Sequence, residues 1–332
     1  FANLCAMRMI CAHVPQIYTS GRVYNGFSVG EDLDSIEGKE IANASAPMKY
    51  KVNIDAKRFD ASKRPDMQVI SEDTVAHLIR LRFPFLSMEA ARVVGLMARN
   101  VLVVFGEAVF MLWWGTQSGH VLTTPINNGD SSGIARVAWA LSRPGEDDTF
   151  DTSVFSLAYG DDFNGASNNP RFTNILLAHV GKEFGIEYVP AGNKTGALDP
   201  YTLPEDAEHL KRLGWCDAAG VWHYRLNLET ISHVHAFYHT KDPNWRAAIA
   251  QNGEQALRLW AGWGKTNYDK VKDRLNERYR KHSLAQCFLT FEELDAESYN
   301  RFGGGKSKPN LPRFESVVEQ SSSSATIAAL GD

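Results

Sequence analysis

Tyr159-Gly160-Asp161-Asp162 sets two adjacent carboxylates directly after an apolar run, Val154-Phe155-Ser156-Leu157-Ala158, and before the aromatic Phe163. The run reads as a strand. Gly-Asp suits the two central positions of a tight hairpin turn, with glycine at positive φ. Adjacent aspartates at a hairpin tip repel each other unless a cation sits there. Outward-facing carboxylate oxygens suit Mg²⁺, a hard octahedral ion that also takes substrate phosphates. Such a pair begins a two-metal phosphoryl-transfer site. Asp-Asp pairs are also common in solvated loops, and Asp147-Asp148 reads as one of these. It lies in Arg143-Pro144-Gly145-Glu146-Asp147-Asp148-Thr149, with no strand before it. The weight of Asp161-Asp162 therefore depends on the rest of the chain.

A two-metal site needs a further carboxylate, and Tyr50-Lys51-Val52-Asn53-Ile54-Asp55 supplies one. Lys51, Asn53 and Asp55 alternate with Val52 and Ile54, as in a half-buried strand. Asp55 falls at its C-terminal end. Asp60 follows five residues later, near enough to line the same pocket. The alternative is a strand followed by a helix cap, with Asp60 or Ser62 as N-cap before Pro65. The third piece is Gly115-Thr116-Gln117-Ser118-Gly119, a Gly/Ser loop running into a helix expected to reach about Leu141. Thr123 and Asn127 share one face of that helix. A hydroxyl and amide face beside a carboxylate could read a sugar hydroxyl. Asp60 accepting from a 2′-OH while Asn127 donates to it would favour ribose, because the 2′-OH is both donor and acceptor. The alternative is an ordinary helix N-terminus with Ser and Thr caps.

Elements elsewhere must position these groups. Helical patterns run over Asp66–Arg80 and Ser87–Arg99, and two strands over Val101–Phe105 and Ala108–Trp114. Further helices are expected over Phe172–Phe184, with Gly185 near its end, and over Glu254–Trp260 and Tyr268–Arg280. A chain of 332 residues can bury a substantial core as one large domain or two to three subdomains. Its apolar and charged fractions, 44% and 22%, are those of an ordinary globular protein. No stretch is long and apolar enough to span a membrane as a helix; Val101–Phe105 is broken by Gly106-Glu107. The four cysteines, Cys5, Cys11, Cys216 and Cys287, have no paired spacing, which argues against a zinc site or disulfide framework and fits a reducing cytosol. His233, His235 and His239 read as a partly exposed face rather than a metal site. The net charge of −4 hides a basic segment from Lys265 to Lys281, where seven basic residues meet three acidic ones. Such a helix either tracks a phosphate backbone or is a solvated face laced with opposite charges.

Taken together, the three pieces resemble the RNA-dependent RNA polymerases of picornavirus-like positive-strand RNA viruses. Asp55 and Asp60 match the family's first motif, Asp, four residues, Asp. Ser118, Gly119, Thr123 and Asn127 match the second, and residues 159–162 match the third, Tyr-Gly-Asp-Asp. The three occur in the family's order. The resemblance implies two Mg²⁺ ions, with Mn²⁺ as a substitute, held by Asp55, Asp161 and Asp162. It implies ribose selection by Asp60, Ser118, Gly119, Thr123 and Asn127. In Val189-Pro190-Ala191-Gly192-Asn193-Lys194-Thr195, Lys194 matches the lysine that protonates pyrophosphate, with one residue more than the family pattern. Lys211 and Arg212, in His209-Leu210-Lys211-Arg212-Leu213, match a primer-gripping segment. Ala6–Met9, Ser28–Gly30 and Thr240–Pro243 also look familial, so the likeness covers about residues 1–315.

The implied class is α+β, an antiparallel polymerase palm backed by helices, with partial fingers and a helical thumb. On that reading 1–62 and 115–227 are palm, 63–114 a fingers insertion, 228–314 thumb, and 315–332 a disordered tail. The implied partners are RNA template and primer, nucleoside triphosphates and other viral replication proteins, at replication complexes in the host cytoplasm. Two departures matter. Asn128 stands where the family usually has Ser. The family's upstream fingers, with the basic residues that hold the triphosphate, precede the region that begins here. Phe1 is not an initiator Met, so the chain is expected to be a fragment of a polyprotein, with Gln320-Ser321 resembling a processing site. Two rivals stand beside this reading. A reverse transcriptase also carries paired aspartates, but Asp60 and the Ser-Gly…Thr…Asn pattern argue against it. A non-catalytic module would bind RNA or viral proteins only.

Overall fold

A computed structural model describes residues 11, 13–16, 26–31, 33, 36–96, 101–112, 115–116, 122–193, 195–217, 219–236 and 244–294. In chain order the first elements are α1 (Ile36–Ser45), β1 (Tyr50–Lys57), α2 (Phe59–Ser62), α3 (Pro65–Arg82), α4 (Met88–Leu96), β2 (Val101–Phe105) and β3 (Ala108–Leu112). Next come α5 (Thr123–Leu141), α6 (Phe150–Ser153), β4 (Val154–Tyr159), β5 (Asp162–Ser167), α7 (Asn174–Glu183) and β6 (Glu187–Pro190). The last are β7 (Glu208–His209), β8 (Arg212–Cys216), β9 (Trp222–Leu226), α8 (Leu228–Ala236), α9 (Trp245–Ala261) and α10 (Lys265–Lys281). The class is α+β. The chain forms two compact units, one from Phe1–Gly30 and Pro47–Leu203, the other from Glu31–Ala46 and Pro204–Pro312.

The first unit is organised by a four-stranded antiparallel sheet in the order β4-β5-β1-β6. Val52, Ile54 and Ala56 of β1 face an apolar core with Val154, Ala158 and Phe163. Helix α5 closes that core with Ile134, Ala135, Ala138 and Trp139, and α7 with Leu177 and Val180. The sequence suggests a half-buried β1, but the strand is buried on both faces over Lys51–Ala56. It lies between two strands in the middle of the sheet, so its polar residues are enclosed as well. The Asn53 N–H donates to Asn174 Oδ1 at 2.9 Å. Burial lowers the Lys51 pKa to about 8. A second apolar cluster, with Val75, Ala76 and Ile79 of α3, Ala91 of α4, and Leu122 and Ile126, ties α3 and α4 to the start of α5. The expected pair of strands after α4 forms a hairpin, β2–β3, with Val104 facing Val109 and Phe105 facing Ala108.

The second unit carries a three-stranded antiparallel sheet, β7-β8-β9. Asn43 of α1 is fastened to the Trp222 backbone by two hydrogen bonds, of 2.8 and 3.0 Å. Helices α9 and α10 pack around Leu257, Tyr268 and Tyr279, with Cys287 and Leu294. His209 is fully buried, and that burial, with Arg212 nearby, pushes its pKa down to about 3. The folded form therefore resists a proton that the unfolded chain accepts near pH 6.5, so stability falls as pH drops from about 6.5 towards 3. Between pH 7 and pH 5 the loss from this residue is on the order of 2 kcal/mol. Urea midpoints of wild type and His209→Gln at the two pH values test this. An equal acid loss in both would refute it.

Candidate active site

Tyr159 pairs with Asp162 across the β4–β5 hairpin, leaving Gly160-Asp161 as a two-residue turn. Gly160 takes φ 64°, a conformation costly for a residue with a Cβ. In the β1–β5 ladder Ile54 faces Phe163, so the next rung sets Asp55 alongside Asp162. Strand alternation sends both side chains away from the apolar core. Asp55, Asp161 and Asp162 each offer a carboxylate oxygen, and these atoms lie within 4.8 Å of one another. Asp55 is buried, Asp162 is half-buried, and Asp161, in the turn itself, is the most open of the three. Three like charges this close are unfavourable by themselves, and an all-oxygen anionic set fits a hard divalent cation.

Helix α5 holds the turn from one side. The Gly160 N–H donates to Asn128 Oδ1 at 2.6 Å, and Ser131 Oγ donates to the Gly160 carbonyl at 2.7 Å. Asn128 and Ser131 are three residues apart, so one helical face reaches both ends of residue 160. Asn128 is fully buried, and its Nδ2 has no partner among the described residues.

Asn127, one residue earlier, faces a different network. Its Nδ2 donates to Asp60 Oδ1 at 2.6 Å, and its Oδ1 accepts from Lys63 Nζ at 2.5 Å. Lys63 also donates to Thr116 Oγ1 at 2.9 Å and to Asp130 Oδ2 at 2.5 Å. Ser71 Oγ donates to the other oxygen of Asp130. The Lys63 and Asp130 side chains are both 0% exposed. Burial pushes the Asp130 pKa up, opposed by the Lys63 ammonium and by hydrogen bonds from Lys63 and Ser71. The Lys63 ammonium also sits 4.6 Å from the Phe59 ring centre. The backbone completes the enclosure: Thr116 N–H donates to the Asp60 carbonyl at 2.8 Å. Gly115, at φ 97°, lies so near that a Cβ there would meet the same carbonyl at 2.8 Å.

Asp60 is thus not the N-cap of α3. It lies in the one-turn helix α2, and the α3 cap position is Arg64. Thr123 opens α5 half-buried, one turn before Asn127. Ser118, Gly119 and Lys194 lie outside the described residues, as do Ala6–Met9, Thr240–Pro243, the 315–332 tail with Gln320-Ser321, and the His235 and His239 side chains. Lys211 and Arg212 belong to the second unit, at the β7–β8 turn, where Lys211 Nζ pairs with Glu208 at 2.8 Å. His209 pairs with Arg212, so Leu210 and Lys211 form a two-residue turn, and both take positive φ, 49° and 63°. Sequence reasoning missed Lys63, Asn128, Asp130 and Ser131 as members of the site. One signal was present: Asn127-Asn128-Gly129-Asp130-Ser131-Ser132 is an unbroken polar and small run inside a helix that must pack, and buried polar groups require partners.

The chain matches no protein-family model. It is 23% identical over 292 residues to the genome polyprotein of Deformed wing virus, covering 85% of this chain and 10% of that protein. It is 25% identical over 233 residues to the genome polyprotein of Rice tungro spherical virus (strain Vt6), covering 66% of this chain and 7% of that protein. Among solved structures it superposes on the Sicinivirus 3Dpol RNA-dependent RNA polymerase with a TM-score of 0.70 and 19% identity, covering 88% of this chain. Its fold is that of an RNA-dependent RNA polymerase. The chain spans 60% of that solved polymerase and a tenth or less of the two polyproteins. Within the polymerase fold, the carboxylate cluster sits at a hairpin tip beside the central strand.

Proposed function

We propose that this chain performs template-directed RNA synthesis by two-metal nucleotidyl transfer, as the polymerase portion of a viral polyprotein. The observation that carries the reading is the meeting of Asp55, Asp161 and Asp162 at one hairpin tip in a polymerase fold. Their oxygen-only, partly buried donor set fits two Mg²⁺ ions, with Mn²⁺ as a substitute. Bound there, the ions supply activation of the primer 3′-hydroxyl and neutralise charge on the triphosphate. Asp60 and Asn127, hydrogen-bonded to each other, are suited to accept from and donate to a ribose 2′-hydroxyl. Ser118, Gly119 and Thr123 belong to the same sugar-facing role. Lys194 acts as general acid toward pyrophosphate. Lys211 and Arg212 hold the primer end. In α10, Lys270, Arg274 and Arg278 recur every four residues on an exposed stripe, which supports contact with an RNA backbone. Lys265 and Lys281 are by contrast ion-paired to Glu292 and Glu277. Synthesis takes place in the host cytoplasm, with RNA template, primer, nucleoside triphosphates and other replication proteins as partners.

The test is Mg²⁺-dependent extension of a labelled RNA primer on an RNA template by the full-length protein, with rNTPs set against dNTPs. Extension with rNTPs alone supports the proposal. Equal use of dNTPs would indicate a reverse transcriptase, and RNA binding by folded protein without extension a binding module. Asn128 and Ser131 add a second test. Asn128→Ala removes the acceptor of the Gly160 N–H and loosens the turn that carries Asp161. Losing such a bond costs about 1–2 kcal/mol, so turnover should fall about tenfold with a raised Mg²⁺ requirement. An unaltered Mg²⁺ titration would remove Asn128 from the site.

A further inference from the structure

We propose that Lys63 governs sugar selectivity by fixing which way round the Asn127 amide stands, with Asp130 as its buried counter-charge. The inference rests on the reading above, in which Asp60 and Asn127 meet the ribose 2′-hydroxyl. A primary amide has an acceptor end and a donor end of nearly the same shape, so packing alone hardly distinguishes its two orientations. Hydrogen-bond partners do. Ionised Asp60 can only accept, and the Lys63 ammonium can only donate. Asn127 lies between them, 2.6 Å from one and 2.5 Å from the other. Only one orientation satisfies both: Oδ1 to Lys63 and Nδ2 to Asp60. The reversed amide would set N–H groups against an ammonium and an oxygen against a carboxylate.

Lys63 is itself immobilised. Its three N–H groups have three acceptors, on Thr116, Asn127 and Asp130, and its side chain is fully enclosed. Asp130 keeps the charge tolerable, and Ser71 occupies its second oxygen. A buried Lys–Asp pair seldom adds net stability over apolar residues of similar volume, so placing one against Asn127 supports a positioning role. The Nδ2 group has two protons. Asp60 takes one, which leaves a donor on the same nitrogen for the oxygen of a 2′-hydroxyl whose proton goes to Asp60. Without Lys63 the amide is held from one side only, and the donor loses its fixed direction. Lys63 is therefore a positioning residue: it acts on the sugar through Asn127.

The experiment measures the ratio of kcat/KM for an rNTP to that for the matching dNTP in the full-length protein. Because it is a ratio within one preparation, the fraction of folded enzyme cancels. Lys63→Met is compared with the double variant Lys63→Met/Asp130→Leu, which leaves no buried unpaired charge, and with Asn127→Ala as the benchmark. One well-aligned hydrogen bond to the 2′-hydroxyl corresponds to a change of about tenfold in the ratio. Both Lys63 variants should approach the Asn127→Ala ratio, chiefly through poorer use of the rNTP. Adding Asn127→Ala to the double variant should lower the ratio no further, since the two act on one interaction. A wild-type ratio in the folded double variant, with a lowered ratio in Asn127→Ala, would overturn the inference and leave the sugar reading standing. An unaltered ratio in Asn127→Ala would instead overturn the sugar reading itself.

Discussion

Asp161→Ala should abolish nucleotide addition while the fold survives. Asp161 occupies the second position of the Gly160-Asp161 turn, half-buried, and glycine alone takes the left-handed conformation there, so alanine fits the backbone. The substitution also removes one of three mutually repelling carboxylates, and metal-free protein should melt at an equal or higher temperature than wild type. The catalytic loss should reach about a thousandfold or more, because a carboxylate that holds a metal supports several kcal/mol of transition-state stabilisation. Two measurements separate the parts of this argument. Single-turnover primer extension reads the chemistry. A Mg²⁺- or Mn²⁺-induced thermal shift, present in wild type and reduced in the variant, reads the metal site without activity. Wild-type turnover in Asp161→Ala would sink the metal assignment, and an undiminished thermal shift would move the ions elsewhere.

Lys63→Met should be the most destabilising single substitution in the polar network beneath α5. It leaves Asp130 enclosed without its cation, and breaking a buried pair from one side costs about 3–5 kcal/mol. Replacing both partners, as in Lys63→Met/Asp130→Leu, should recover most of that loss, since apolar groups of similar volume need no counter-charge. The single variant carries a pH signature. Burial already raises the Asp130 pKa, and removing Lys63 raises it further. A carboxyl whose folded pKa is raised contributes stability below its unfolded pKa and loses it as pH rises through the folded value. The Lys63→Met defect should therefore shrink under mildly acidic conditions and be largest at alkaline pH. Urea unfolding at several pH values checks this, and a defect that is the same at all of them would show that Asp130 is not the group left exposed to the loss.

Much of the frame follows from local rules. The apolar run before Gly160, the Gly-Asp turn and the alternation around Asp55 specify a hairpin and a neighbouring strand, because turn chemistry and side-chain alternation act over a few residues. The expected helix to Leu141 ends at that residue, and the helical patterns near Asp66–Arg80 and Phe172–Phe184 correspond to α3 and α7. At Asp60 and at β1 local reasoning fell short. The sequence leaves open whether Asp60 caps the next helix, and it suggests a half-buried β1. Packing decided both. Asp60 lies in its own turn of helix, hydrogen-bonded to Asn127, and β1 is enclosed because strands flank it on each side.

The sequence by itself determined which chemistry was on offer: three aspartates at spacings that two strands and a turn can bring together, and an amide placed to face a fourth. It could do so because carboxylate type, turn residues and strand period are properties of short segments. Only the tertiary structure decided how those groups are held. Lys63 and Asp130 meet across 67 positions of chain, and Asn128 reaches Gly160 across 32. Nothing in a local pattern distinguishes a lysine bound for solvent from one enclosed beneath a helix. That difference arises only when the sheet, α2 and α5 exclude water together and every buried donor must find its acceptor.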